Sequence, residues 1–160
     1  MNLKSYLIKL LLDEKEIVEE LIMVDNKVMF SNLTYKDLYN IVEKCKIDFE
    51  DILSFNYDFI LDGDINTIVY VLINYSTCVR YLHVNSNYVG ITSWLITKIN
   101  QYYNDININT CISLDINKGY KDFSQDEVLV LCGHSYFING IKDLFDNKKF
   151  IIIEMGDKRA

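Results

Sequence analysis

Along the first third of the chain the apolar residues recur every three or four positions. Leu3, Leu7, Leu10, Leu11, Ile17, Val18, Leu21 and Ile22 share one broad helical face, with Asp13, Glu14, Glu16, Glu19 and Glu20 outside it, so the pattern predicts a helix over 3–23. Asp25-Asn26 reads as a turn, and 27–30 as a short strand after it. Thr34 is an N-cap candidate, and Asp37 three residues on makes a capping box with a shortened acid. Leu38, Ile41, Val42 and Cys45 give the next helix its stripe. Asp48 opens a further helical piece with Phe49, Ile52 and Leu53.

From residue 57 the rhythm changes. Residues 57–61 are an apolar run that meets Asp62-Gly63-Asp64, the clearest turn in the first half. Its acids read as a solvated turn, because a calcium loop needs further acids at alternate positions and a terminal Glu. Residues 65–74 are apolar on all sides, and the preceding turn offers an N-cap, which favours helix. Residues 79–84 alternate as a strand, with Val79, Tyr81 and His83 facing one way and Arg80, Leu82 and Val84 the other; Asn85-Ser86-Asn87 ends it. An amphipathic helix follows over 90–104, with Ile91, Trp94, Leu95, Ile99, Tyr102 and Tyr103 as its stripe. A strand over 109–116 and a polar loop over 117–125 come next. The stretch 127–156 then reads strand, glycine turn at Gly133, helix through Phe137, Ile138, Ile141, Leu144 and Phe145, and a second strand over 150–153. Such a β–α–β unit joins parallel strands by a right-handed crossover. The expectation is one domain over 1–160: a three-layer, Rossmann-like α/β core over 61–160 with a mainly parallel sheet, and a mostly helical cover over 1–60.

Composition narrows the function classes. Half of the 160 residues are apolar, enough for a sizeable core. The formal net charge of −7 and the lack of a basic stripe argue against nucleic acid as the partner and against a polybasic membrane contact. Lys4, Lys9, Asp13 and Glu14 interrupt the apolar start, so no secretory signal is expected, and the longest nearly uncharged stretch, 65–79, is too short to span a bilayer. A cytoplasmic protein is expected. The four cysteines, Cys45, Cys78, Cys111 and Cys132, lack CxxC spacing, which speaks for buried free thiols and no metal site.

Open parallel sheets bind ligands beyond the carboxyl ends of their strands. Two predicted ends carry polar clusters: His83, Asn85 and Ser86 in one, and Gly133, His134 and Ser135 in the other. Free amides at a helix start favour an anion such as phosphate; Gly133 permits a close backbone approach, and Ser135 can cap or donate. An ordinary βα turn is the alternative for the same residues. The fingerprints GxGxxG and GxxxxGK[ST] are absent. No Ser-His-Asp or Cys-His arrangement is assembled by spacing, although such sites are defined in space.

The segment Gly133-His134-Ser135, a helix, and Phe150-Ile151-Ile152-Ile153-Glu154-Met155-Gly156-Asp157-Lys158 resembles the cofactor-binding half of the aldehyde dehydrogenase superfamily and its cousins, the acyl-CoA reductases. In that superfamily a strand ends in a glycine-serine turn, and a later strand ends Glu-Leu-Gly-Gly-Lys. Leu82-His83-Val84-Asn85-Ser86 stands where the family has a Leu-Lys-Pro-Ser-Glu strand end. The resemblance covers roughly half the chain and rests on short motifs. It implies an NAD or NADP site, with the pyrophosphate near Gly133, His134 and Ser135, the adenosine end near His83, Asn85 and Ser86, and Glu154 in the position of the general base. His83 replaces the family's Lys, Ile138 its second glycine and Asp157 another glycine, and the cysteine-bearing half that follows the Glu motif has no counterpart in these residues. A base without its nucleophile has no acyl-transfer task. The expected function is therefore nucleotide binding without complete dehydrogenase chemistry on this chain. The alternative is a non-enzymatic protein-interaction domain with a decayed ligand crevice. A third arrangement has a separate polypeptide supply the cysteine-bearing half, so the partners in view are a nucleotide, a second protein or further copies of the chain.

Overall fold

The computed structural model describes residues 2–48, 56–84, 88–116, 128–145 and 148–156. Strands β1 (Tyr57–Leu61), β2 (Val79–Val84), β3 (Ser113–Ile116), β4 (Val128–Gly133) and β5 (Lys149–Glu154) form one sheet in the order β3-β2-β1-β4-β5. Every neighbouring pair is parallel. Helix α4 (Ile65–Tyr75) lies between β1 and β2, α5 (Val89–Asp105) between β2 and β3, and α6 (Ser135–Leu144) between β4 and β5. Helices α1 (Leu3–Asp13), α2 (Lys15–Met29) and α3 (Tyr35–Lys44) come first. The fold is α/β and Rossmann-like, with an all-parallel sheet.

The central strands are continuous apolar runs because both of their faces are covered. Phe59, Leu61, Leu82, Val84, Val130 and Cys132 point to one side and pack with Ile68 and Leu72 of α4 and Ile91, Leu95 and Ile99 of α5. Ile60, Leu129 and Leu131 point to the other and pack with Ile138 and Ile141 of α6. One irregularity shifts the phase of β2. Tyr57 pairs with Val79 but Asp58 pairs with Tyr81, so Arg80 is an extra residue in the strand. Val79 therefore joins the same core as Leu82 and Val84, while Tyr81 packs on the α6 side. The strict alternation predicted for 79–84 fails at that point.

The N-terminal third differs from its predicted outline. The single helix over 3–23 is two helices that break at Glu14, where φ is −113°. The short strand over 27–30 does not form. Those residues complete the last turn of α2, which ends at Phe30 in the left-handed region with φ 52°. Asp25 does not turn the chain. It is buried in α2, and its two carboxylate oxygens accept from the amides of Gly90 and Ile91, each at 2.9 Å, capping the start of α5. The capping box of Thr34 and Asp37 is present at the start of α3. Helices α1 to α3 pack against α4 and α5, forming a helical cover outside the layer that touches the sheet.

Strand β3 is shorter than the predicted 109–116. Asn107 sits at φ 59°, the Ile108 amide donates back to the Tyr103 carbonyl, and the Asn100 amide group holds both polar backbone atoms of Ile112. These bonds take the backbone of the preceding residues out of the ladder. The predicted helical piece at Phe49, Ile52 and Leu53, the loop over 117–125, and Asn85 and Ser86 lie outside the described residues. Among the described residues no helix is long and apolar enough to cross a membrane.

Candidate functional site at the strand-order switch

The strand order reverses between β1 and β4. The chain leaves β1 towards α4 on one face of the sheet and leaves β4 towards α6 on the other, so their first turns diverge. A crevice at such a point is where open α/β sheets take ligands. Here the residues that flank that point are Asp62, Gly63 and Asp64 after β1 and Gly133 and His134 at the end of β4.

The acids organise it. The Asp62 amide donates to the Cys132 carbonyl at 3.1 Å, which continues the β1–β4 ladder by one bond. Its Oδ1 accepts from the Asp64 amide at 2.9 Å, and its Oδ2 accepts from the His134 amide at 3.1 Å. Asp64 is the N-cap of α4, with Oδ1 accepting from the Asn66 amide at 3.0 Å. Both helices that begin at the crevice thus meet a carboxylate of the chain itself. The Asp62 charge stands at the start of α6, the position an incoming phosphate would seek.

Gly133 is required by this arrangement. Its φ is 157°, and a Cβ there would lie 2.6 Å from Asp62 Oδ2 and 2.9 Å from a ring carbon of Phe137. The close approach expected at this glycine is real, and an internal carboxylate makes it. Ser135 is the first residue of α6 and exposed, but the cap position is His134, and neither side chain caps the helix. His134 instead turns its Nε2 to Asp64 Oδ2 at 3.3 Å, with both side chains about one-third exposed. This is a histidine–carboxylate pair that solvent reaches.

The other predicted site residues are placed differently. His83 is inside β2, in register with Ile60, and only 1% exposed. Its Nδ1 lies 3.1 Å from Asp115 Oδ2 on β3. Strand β1 separates it from β4, so the two histidines lie at one end of the sheet two strands apart, and of the two only His134 is open to solvent. Glu154 ends β5 opposite Gly133 and is exposed. Asn85 and Ser86 lie outside the described residues. Cys132 is the thiol next to the crevice; burial, and then the Asp62 charge, push its pKa up and keep it the neutral thiol, which is not the nucleophilic form. Among the described residues no group of three or more His, Cys, Asp and Glu side chains is arranged to hold a metal ion.

In the sequence Asp62 and Asp64 read only as a solvated turn offering an N-cap and Asp25 only as part of a turn, while Asp115 carries no assigned role. The signal for the first two was available: an Asp-Gly-Asp turn directly after the strand that becomes central. Its meaning depended on strand order, which puts that turn beside Gly133. No signal marked Asp25 among the other acids of α2, or Asp115 as the partner of His83. No protein-family model, curated protein or solved structure matches this chain, and nothing links it to the aldehyde dehydrogenases or the acyl-CoA reductases.

Proposed function

We propose that the chain is a protein-interaction domain, a Rossmann-like scaffold whose anion position is filled from within. The observation that carries this reading is the Asp62 carboxylate on the His134 amide, backed by Asp64 at the start of α4. A pyrophosphate entering there would have to displace Asp62 and would meet two negative charges. The burial of His83 against Asp115 supports the same reading, since it removes the adenosine-end residue from the crevice.

A second reading, binding of a nicotinamide nucleotide, is favoured by one feature. The exposed Ser135 and the one-third exposed His134 stand at the mouth of the strand-order switch. Calorimetric titration of the protein with NAD and NADP, oxidised and reduced, separates the two. The interaction reading expects no saturable heat at millimolar nucleotide. Saturable binding of any of the four overturns it in favour of the nucleotide reading.

A further inference from the structure

Helix α2 presents apolar residues on two faces. Val18, Ile22 and Asp25 look inward. A second stripe, Ile17, Leu21, Val24 and Val28, runs beside them with spacings of four, three and four residues, the rhythm of a coiled-coil seam. It is not covered: Ile17 is 49%, Val24 55% and Val28 66% exposed, and Leu21 is half-buried. Single exposed apolar residues mean little, whereas four in register on one helix make a continuous patch.

The charges beside the seam say what fits it. On its solvent side stand Glu20 and, one heptad later, Lys27, both exposed. When two copies of this helix pack antiparallel, Leu21 meets Val24 of the other copy and Ile17 meets Val28. Glu20 then faces Lys27 of the other copy, and the two-fold axis repeats the pair. In a parallel pair the like charges stand at equal heights. The surface is therefore complementary to itself in one orientation.

We infer that α2 is a self-association surface and that its occupant is α2 of a second copy, packed antiparallel. The inference rests on the protein-interaction reading and gives it a partner.

Sedimentation equilibrium of the whole chain tests it. The expected result is a reversible dimer. Val24→Glu should abolish the dimer while the circular dichroism and melting temperature stay those of the parent. Glu20→Lys should weaken it, raising the dissociation constant roughly tenfold through repeated like-charge contacts, and the exchange Glu20→Lys with Lys27→Glu should restore it. A monomer at every concentration overturns the inference. A dimer indifferent to Val24→Glu removes it from α2, and failure of the charge exchange to restore association overturns the antiparallel pairing. A monomer that also ignores nucleotides would leave the interaction reading in place with another partner, whereas nucleotide binding would remove that reading whatever the oligomeric state.

Discussion

At the scale of the residue, Gly133 and Asp62 define each other. The carboxylate lies over the glycine because nothing projects from its Cα, and from there it reaches the His134 amide. Alanine at 133 would force Asp62 or Phe137 to move and would hold an L residue at an unfavourable φ. Gly133→Ala should therefore lower stability by about 1–3 kcal/mol in denaturant unfolding. A change below a few tenths would contradict the internal role assigned to this glycine. The same geometry makes Gly133→Val a test of packing as much as of ligand binding, so it does not isolate a nucleotide site. The glycine was legible in the sequence as a point of close approach. What approaches it was not, because Asp62 is far from it along the chain and reaches it only through the β1–β4 pairing.

At the scale of the element, helix boundaries followed local chemistry where that chemistry was local. Thr34 and Asp37 start α3 from within three residues of sequence, and Asp62-Gly63-Asp64 starts α4 in the same way. The start of α5 depends on a distant group. Its N-cap residue, Tyr88, makes no side-chain cap, and Asp25 of α2 supplies the carboxylate. A helical stripe cannot reveal such a role, which is why 25–30 read as a turn and a strand when it is the end of a helix. Asp25→Ala should cost about 1–3 kcal/mol by losing a charged cap on two buried or half-buried amides. Hydrogen exchange should then quicken first at Gly90 and Ile91. Unchanged stability, with protection at those amides intact, would mean that the cap is dispensable. Gly90 belongs to the same contact, since a Cβ on it would stand 2.9 Å from Asp25 Oδ1.

At the scale of the whole molecule, the βα alternation made the parallel sheet legible, but not the order β3-β2-β1-β4-β5 or the site that this order creates. Strand order is set by which crossovers turn left and right across the sheet, and that is a property of packed faces. The fold also makes a statement about pH. Burial pushes the Cys45 thiol up to about 11 from the usual 9.0. Burial, followed by a hydrogen bond to Asp115, pushes Tyr81 up to about 12 from 10.0. Both groups stay neutral in the folded chain at a pH where the unfolded chain ionises. Their contribution to stability is thus complete below about pH 9 and is lost as pH rises through 11 and 12. Unfolding in denaturant should show stability falling progressively above pH 9, with Cys45→Ser flattening the first part of the decline. A flat profile to pH 11 would contradict the burial of these groups.

The central claim is that Asp62 occupies the anion position at the start of α6. Its most direct test follows the backbone amide resonances of Gly133, His134 and Ser135 while NAD is added to the intact protein. All three are expected to stay in place to millimolar nucleotide, with the His134 amide still hydrogen-bonded to the Asp62 carboxylate. A saturating shift of these three amides, with the His134 resonance changing most, would mean that the nucleotide displaces Asp62 and that the crevice is a working site.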